Sequence, residues 1–313
     1  MGSGRRAFAA LAVMSAAVLA GCIPGSKLVE RIGRLPEPVR PAVHDAVWAH
    51  GDPYTWSEQK NVVIEARWSD YRHAQSPVVN HKVYTIDLAS RRMRIDDLTG
   101  ETIALYDGVT WRVFLRGHEI RKPSVVNDDT VGYLAQFEYA AGEMRLIRMF
   151  FCLPFNLADD GVELRELGRV RTAAAANQWN VLRATFNPDA TGFLNTDRML
   201  AYFNPTSGVI DRLFLELSDH PFYSIPHWAE WADYRRLPGG LLVAHRWEFR
   251  MTDAKGTADL GRRLSIVLKD VGFNLDLPAG VFSLPSVKPP RVPAGAEGPK
   301  AKTLGVDAID NRR

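Results

Sequence analysis

The sequence predicts a mainly β protein of the α+β class. The expected architecture is a curled or incomplete antiparallel β-barrel of about nine to eleven strands, with a few helices as a lid or plug. Two observations predict it. Over most of residues 60–273, apolar and polar side chains alternate with the period of two that is typical of half-buried strands. Turn sequences such as Asp107-Gly108 and Pro238-Gly239-Gly240 separate neighbouring runs, as hairpin turns do.

The first half of the chain contains one predicted helix and the first strands. Pro41 stands in the first turn of an expected helix over residues 41–48. Alternating runs over residues 62–68, 83–88 and 92–96 predict three strands. Residues 101–116 predict a hairpin, because two alternating runs flank an Asp-Gly turn.

The pattern changes in the middle of the chain and then returns to strands. Apolar residues near helical spacing predict a helix over residues 128–151, broken at Gly142, and residues 152–168 are interpreted as a loop with a short turn. Strands are then predicted in five further segments: 178–186, 198–203, 209–217, 232–251 (a hairpin) and 264–273.

The N-terminus has the three parts of an export signal. Two arginines, Arg5 and Arg6, precede an apolar run over residues 7–20 and small residues before Cys22. This run is shorter than the roughly 20 residues that cross a bilayer. The segment Leu19-Ala20-Gly21-Cys22 resembles the lipobox of bacterial lipoproteins, which implies that residues 1–21 are removed and that Cys22 is acylated. An acylated cysteine would tether the protein to a membrane.

The resemblance to lipoproteins also predicts a location and a division of the chain. The predicted location is the bacterial cell envelope, and Ile23, where aspartate retains many lipoproteins at the inner membrane, favours the outer membrane facing the periplasm. Residues 5–8 resemble the twin-arginine core without its usual flanks, so general secretion and twin-arginine export both stay open. Residues 22–52 are interpreted as a lipidated tether and N-terminal helix, residues 53–285 as the β domain and residues 286–313 as a disordered tail.

Composition and motifs argue against several functional classes. Loss of Arg5 and Arg6 leaves 37 basic and 36 acidic residues, a net charge of +1, which gives no support to a nucleic-acid partner. The two cysteines, Cys22 and Cys152, do not have the spacing of a zinc site or a disulfide framework. The sequence holds no G-x-S-x-G, H-E-x-x-H, P-loop or G-x-G-x-x-G motif. It therefore predicts no cofactor, no metal and no catalysis, with a hydrolase assembled from distant strands as the enzymatic alternative.

Several local patterns, in their order along the chain, resemble the LolA/LolB-like superfamily of bacterial periplasmic proteins. The patterns are RRMRIDDLTGETIALYDGVTWRVF, FFCLPFNLADDGVELRELG, YFNPTSGVIDRLFLEL and YRRLPGGLLVAHRWEFR followed by LSIVLKDVGFNLDLPAGVFSLP. The resemblance implies an incomplete barrel around an apolar cavity that holds acyl chains of lipids or lipoproteins under a helical lid. This chain is longer than the typical carrier, and the family's lid-holding arginine and membrane-inserting leucine have no match here.

The resemblance and the alternation together predict the functional residues. The residues expected to line the cavity are Met93, Ile95, Trp111, Val113, Phe137, Trp247 and Phe249. The same alternation also fits side chains that fill a packed barrel core, so an open and a packed interior are both possible. An aromatic insertion between residues 220 and 231 is expected to touch the membrane or cover the cavity mouth, through Phe222, Tyr223, Trp228 and Trp231. The alternative is a packed surface loop. The predicted function is a membrane-anchored, non-enzymatic protein that binds acyl chains. The alternative is an envelope sensor or assembly scaffold that binds a protein partner through the same fold.

Overall fold

The computed structural model describes residues 25–71, 76–121, 131–171, 178–187, 198–216 and 226–293. The helices within them are α1 (Gly25–Arg34), α2 (Arg40–His50), α3 (Pro53–Ser57), α4 (Val131–Cys152) and a 3-10 helix (Phe155–Ala158). The strands are β1 (Asn61–Asp70), β2 (Val78–Asp87), β3 (Met93–Asp97), β4 (Thr102–Tyr106), β5 (Trp111–Leu115), β6 (His118–Ile120), β7 (Val162–Arg171), β8 (Gln178–Phe186), β9 (Arg198–Phe203), β10 (Ile210–Glu216), β11 (His227–Arg236), β12 (Leu242–Met251) and β13 (Arg262–Phe273).

All of these strands belong to one antiparallel sheet, in the order β6-β5-β4-β3-β2-β1-β13-β12-β11-β10-β9-β8-β7. Two meanders, β1–β6 and β7–β13, join where β1 pairs with β13 and Val62 lies opposite Phe273. Strands β6 and β7 form the two edges, so the sheet is open. Because β7 follows β6 in the chain, the connecting segment must pass from one edge to the other, and α4 lies in this segment.

One face of the sheet carries the main core. We call this the inner face and define it by the buried side chains of Ile95, Val113, Trp247 and Phe249, which belong to a single apolar cluster. The same cluster includes residues of α1, α2 and the second half of α4. The helices therefore cover the inner face, in agreement with the expected helical lid or plug over the sheet.

The opposite, outer face is also covered in its first half. The chain after β13, which we call the C-terminal strap (residues 274–293), lies over it, and Val281, Phe282 and Val292 of the strap are buried. Arg112 of β5 donates a hydrogen bond to the Ser283 carbonyl at 3.0 Å. The strap explains why strands such as β5 carry apolar residues on both faces.

The strongest anchor of the strap is Arg94, whose side chain is completely buried on the outer face of β3. Its guanidinium donates to both carboxylate oxygens of Asp96, at 2.7 and 2.6 Å. It also donates to the carbonyls of Val281, Leu284 and Pro285 at 3.0 to 3.2 Å. One buried cation thus joins β3 to three carbonyls of the strap. Residues 294–313, most of the predicted tail, lie outside the described residues.

The fold class agrees with the sequence prediction, but some elements differ. The described residues hold 13 strands, more than the expected nine to eleven. Strand β6 has only three residues, too few to show alternation. Strand β7 takes up residues 162–168 of the segment expected to be a loop with a short turn, whereas the 3-10 helix over residues 155–158 agrees with that turn. All side chains of β7 are exposed or half-buried because it is an edge strand, so its apolar pattern is weak. Helix α4 continues through Gly142, where a break was expected.

The segment before the sheet contains more helix than expected. Only a tether and one helix were predicted for residues 22–52, whereas α1 and α2 are both present. Leu28 and Ile32 of α1 are buried in the main core. In α3, Asp52 is the N-cap, and its carboxylate accepts hydrogen bonds from the backbone N–H groups of Tyr54 and Thr55. Among the described residues, no helix combines the length and apolarity that crossing a bilayer requires.

Candidate functional site

The structure brings the predicted cavity-lining residues together on the inner face. The main cluster buries Met93, Ile95, Val113, Trp247 and Phe249, as their alternate positions in β3, β5 and β12 predict. The two remaining residues are half-buried and pack against the same cluster: Trp111 at the start of β5 and Phe137 of α4.

The space that these residues enclose is filled by the second half of α4, which we call the plug (residues 143–152). The Phe150 ring is parallel to the Phe249 ring, with centroids 5.6 Å apart. It is also 5.7 Å from the rings of both Trp231 and Trp247. The plug thus occupies the inner face with the kind of aromatic and aliphatic surface that an acyl chain would otherwise cover.

A small cavity remains between the plug, α2, α3 and strands β11 and β12. Its volume is about 10 Å³, about the space of one water molecule. Its lining consists of His50, Trp56, Phe150, Phe151, Leu153, Phe155, Trp231, Leu241, Leu242, Val243, Ala244 and Trp247. In this conformation the site is packed, so an acyl chain can enter only if the plug moves.

A polar contact holds the first turn of the plug against the sheet. Glu143 accepts a hydrogen bond from Lys82 Nζ at 2.6 Å and another from the Tyr84 hydroxyl at 2.6 Å. Lys82 also lies over the Trp68 ring, 4.5 Å from its centroid. The Lys82 and Glu143 side chains are only 10% and 14% exposed, so solvent screens this pair weakly. We call this group the clasp (Lys82, Tyr84 and Glu143).

Removing the charge of the clasp is expected to loosen the plug. Glu143→Gln should lower the free energy of unfolding by about 1–3 kcal/mol, because the nearly buried Lys82 ammonium loses its carboxylate partner. The second acidic oxygen near it belongs to Asp97, at 3.9 Å. Urea denaturation measures the change, and hydrogen exchange of α4 should become faster.

The matched control for this variant is Glu101→Gln, which removes a carboxylate that pairs with Arg116 on the surface. Because both side chains of that pair are mostly exposed, the control should change the free energy of unfolding by less than about 1 kcal/mol. If the two substitutions changed the free energy of unfolding equally and left hydrogen exchange in α4 unchanged, the clasp would not hold the plug.

His50, the last residue of α2, is the one titratable side chain in the lining of the small cavity. Its Nδ1 lies 2.8 Å from the Ala46 carbonyl, which can only accept a hydrogen bond, so Nδ1 carries the hydrogen. Burial lowers the pKa of His50 from 6.5 to about 4, and the positive charge of Arg236 acts in the same direction. The ring is therefore neutral at neutral pH, and Nε2 is a hydrogen-bond acceptor.

The lowered pKa of His50 predicts an acid-sensitive fold. Between pH 6.5 and 4 the unfolded chain binds a proton at this histidine and the folded chain does not, so stability falls as the pH falls. The expected loss over this range is roughly 3 kcal/mol, at about 1.4 kcal/mol per pKa unit. Urea unfolding at several pH values measures it. In His50→Phe the decline should be shallower by that amount, and an unchanged slope would contradict the prediction.

The residues predicted for an exposed aromatic loop are placed differently by the structure. Phe222 and Tyr223 lie outside the described residues. Trp228 and Trp231 lie in strand β11 and not in a loop, on opposite faces of the sheet. Trp231 is buried in the main core, and Trp228 packs on the outer face against Tyr202 and Phe214. The loop expectation for these two residues was wrong, because the period of two begins at His227.

Several residues that shape the site were not predicted from the sequence. Lys82, Glu143 and His50 reach it from β2, α4 and α2, so only the folded chain brings them together. One sequence feature could have pointed to Glu143: it is an acidic residue in a predicted helix and stands beside a strongly apolar run. Cys22, the predicted lipidation site, lies outside the described residues. Within the described part of the chain, no group of three or more histidine, cysteine, aspartate or glutamate residues could hold a metal ion.

Comparison with known proteins gives structural neighbours only. No protein-family model matches the chain, and no curated protein matches it significantly. A DUF1329 family protein from Desulfovibrio piger is similar over 81% of this chain and 100% of its own, with 9% identity and a TM-score of 0.50.

Two further structures have somewhat lower TM-scores. One is described as an outer membrane lipoprotein-sorting protein domain from Vibrio parahaemolyticus. It has 8% identity and a TM-score of 0.47, and the match covers 78% of this chain and 95% of its own. The other, a LolA superfamily protein from Nitrosomonas europaea, has 11% identity and a TM-score of 0.43. That match covers 84% of this chain and 98% of its own. The chain shares its fold with the DUF1329 family protein. At these identities the likeness concerns the fold alone, and it agrees with the resemblance predicted from the sequence.

Proposed function

We propose that the protein binds acyl chains of lipids or lipoproteins on the inner face of its LolA-like sheet, without catalysis. We further propose that it is anchored through an acylated Cys22 in the bacterial envelope, at the outer membrane and facing the periplasm. The observation that carries the proposal is the plug. The inner face presents an apolar surface to a helix that is held by the clasp and by apolar packing, and a hydrocarbon chain could replace that packing.

Two opposing free energies determine whether an acyl chain can replace the plug. Burying a methylene group contributes about 0.8 kcal/mol, so a 16-carbon chain could gain roughly 10 kcal/mol before entropy losses. The chain must displace Phe150 and its neighbours in the plug, which costs the packing energy that these residues contribute. Binding would therefore be reversible, as a protein that accepts and releases acyl chains requires.

The position of the N-terminus supports entry of the chain from a membrane. Gly25 of helix α1 lies three residues after Cys22 in the sequence, so the proposed anchor is close to α1 along the chain. Gly25 packs closely against Tyr54 of α3, and Trp56 of the same short helix lines the small cavity. An anchor at Cys22 would therefore hold the cavity end of the sheet near the lipid surface.

The proposal is tested by native mass spectrometry and lipid extraction of residues 25–313, exported to the periplasm and purified without detergent. We expect an acyl-bearing ligand at a stoichiometry near one, or uptake of one from added liposomes. Trp111→Asp should abolish binding, since it places a charge on the inner face. The control Trp48→Asp changes a partly exposed tryptophan of α2, outside the main cluster, and should bind normally. Circular dichroism confirms that both variants are folded.

A second candidate function is an envelope sensor or scaffold that binds a protein partner and moves no lipid. The packed interior favours it, because the remaining cavity of about 10 Å³ is far smaller than a ligand pocket of several hundred Å³. This candidate would be favoured over the first by a native mass equal to that of the protein without ligand, and by no uptake of lipid from liposomes by the native protein or by Glu143→Gln. Cross-linking in the envelope would then identify the partner.

A further inference from the structure

A second cavity lies between helix α2, strand β8 and the turn that joins β9 to β10. Its volume is about 250 Å³, it is partly open to solvent, and it shares no lining residue with the small cavity. Helix α2 contributes Ala42, Asp45, Trp48 and Ala49 to its lining, at the spacing of one helix face. His50, on another face of α2, lines the small cavity. The two cavities are therefore separate sites.

The wall formed by the turn is fixed by its own backbone geometry. The side-chain oxygen of Asn204 accepts hydrogen bonds from the backbone N–H groups of Thr206 and Ser207, at 3.0 and 3.1 Å. Gly208 has a φ of +74°, and a Cβ there would lie 2.8 Å from the carbonyl oxygen of Asp45. A glycine at this position thus lets the turn approach α2 closely. The cavity is therefore preformed.

An exposed aromatic ring forms part of the lining. Trp48 is 41% exposed, although tryptophan is a side chain that proteins usually bury. His44, one helical turn earlier, stacks on the indole with ring centroids 4.2 Å apart and 19° between the planes. His44 covers one face of the indole and is not part of the lining. The stack fixes the ring, whose electron-rich face attracts C–H groups that carry a partial positive charge.

The polar side chains of the lining favour an uncharged ligand with hydroxyl groups. Asn180 supplies an amide, and Thr206 and Ser207 supply hydroxyls, so these groups can both donate and accept hydrogen bonds. Asp45 supplies a carboxylate, which accepts hydrogen bonds from hydroxyl groups. Within the part of the chain that the structure describes, no lysine, arginine or histidine lines the cavity. An anionic ligand would therefore meet a carboxylate and no cation, which is unfavourable.

A sugar ring combines the two properties that this lining requires. In a glucose-like ring the hydroxyls are equatorial, so each face presents only C–H groups to an aromatic ring, and the hydroxyls at the rim donate and accept hydrogen bonds. A quaternary ammonium, the other ligand that binds aromatic rings through a positive charge, is enclosed by a cage of several rings. Trp48 is the one exposed aromatic side chain in the described lining.

We propose that the second cavity binds one uncharged, glucose-like sugar of a glycan chain. The sugar stacks on Trp48, and its hydroxyls bind the carboxylate of Asp45 and the amide of Asn180. The cavity is partly open, so the glycosidic bonds leave it toward solvent and the chain continues outside. This inference does not depend on acyl binding, because the small cavity and the plug take no part in it.

The test compares methyl β-glucoside with methyl β-glucuronide, which carries a carboxylate in place of the CH₂OH group. The full chain in phosphatidylcholine nanodiscs is titrated with each, and saturation-transfer difference NMR measures binding against empty nanodiscs. We expect the glucoside to bind and the glucuronide to bind at least about tenfold more weakly, because Asp45 repels its charge. Cellotriose, a short glycan chain of the same sugar, should bind at least as tightly as the glucoside.

Variants locate the sugar in the cavity. Trp48→Ala should weaken binding of the glucoside by about tenfold, because it removes the ring on which the sugar stacks, and Trp48→Phe should restore part of the affinity. Asn180→Ala should weaken it by about fivefold through loss of hydrogen bonds. The control Tyr54→Ala removes an exposed ring outside the cavity and should bind normally.

The outcomes that would overturn the proposal are distinct. If neither the glucoside nor cellotriose bound the native protein, the cavity would not be a sugar site. Equal affinity for glucoside and glucuronide would overturn the selection of an uncharged sugar, and weaker binding of cellotriose would overturn the glycan chain in favour of a free sugar. Affinity that persists in folded Trp48→Ala and Asn180→Ala would place the sugar elsewhere. Acyl binding is measured with other ligands, so either proposal can fail alone.

Discussion

Replacing Phe150 with alanine is expected to lower the free energy of unfolding by about 3–5 kcal/mol. Phe150 is almost completely buried, and its ring contacts those of Phe249, Trp231 and Trp247. These three partners are fixed in β11 and β12, so they can close only part of the cavity that the substitution leaves. Urea denaturation of Phe150→Ala measures the loss.

The same substitution is expected to strengthen acyl binding. Removing the ring weakens the closed packing of the plug and leaves an apolar space beside Trp247. The fraction of molecules that can accept a chain therefore rises, and the apparent dissociation constant should fall by about tenfold or more. Binding of a fluorescent fatty acyl amide measures this change.

Phe214→Ala is the matched control for Phe150→Ala. Phe214 is equally buried, but it lies in the outer-face cluster with Trp179, Val181 and Tyr202. It should therefore lose several kcal/mol of stability without a gain in acyl affinity. If both variants gained affinity equally, general loosening of the protein would explain the effect, and the plug would have no special role.

Replacing Arg94 with methionine is expected to have a similarly large effect on stability, about 3–5 kcal/mol. Methionine fills much of the same space, but Asp96 loses its buried cation and the carbonyls of Val281, Leu284 and Pro285 lose their donor. The expected consequence is release of the strap from the outer face. Urea denaturation gives the energy, and limited proteolysis should cut within residues 274–293.

The control for Arg94→Met is Arg116→Met, which breaks the exposed pair with Glu101. It should cost less than about 1 kcal/mol and leave the strap resistant to proteolysis. An Arg94→Met variant as stable and as resistant as the native protein would show that the apolar side chains of the strap hold it without this arginine.

The sequence predicted the sheet well, because the alternation of apolar residues and the hairpin turns are local signals. Strand β5, with Trp111 and Val113 on one face, is an example. The prediction failed where the local signal was weak: β6 is very short, and β7 is an edge strand without a fully buried residue. It also failed at Trp228 and Trp231, where an aromatic and proline-rich segment was interpreted as a loop.

The site was predicted only in its apolar part. The alternation places residues such as Ile95 and Phe249 on one face, but it does not show whether that face surrounds an open space or a helix. The plug fills it because α4 connects the two edges of the open sheet, a consequence of topology. The clasp and the place of His50 in the small cavity depend on residues far apart in the sequence, so no local pattern could reveal them.

Photo-cross-linking with a diazirine-bearing fatty acyl amide tests the central claim most directly. The full chain in nanodiscs is irradiated with the probe, and the labelled peptides are identified by mass spectrometry. Labels are expected on the plug and on the inner face of β12, around Trp247 and Phe249, and they should increase in Glu143→Gln. Labels confined to the outer face around Phe214 and Trp228, or no saturable labelling in either protein, would contradict acyl binding inside the sheet.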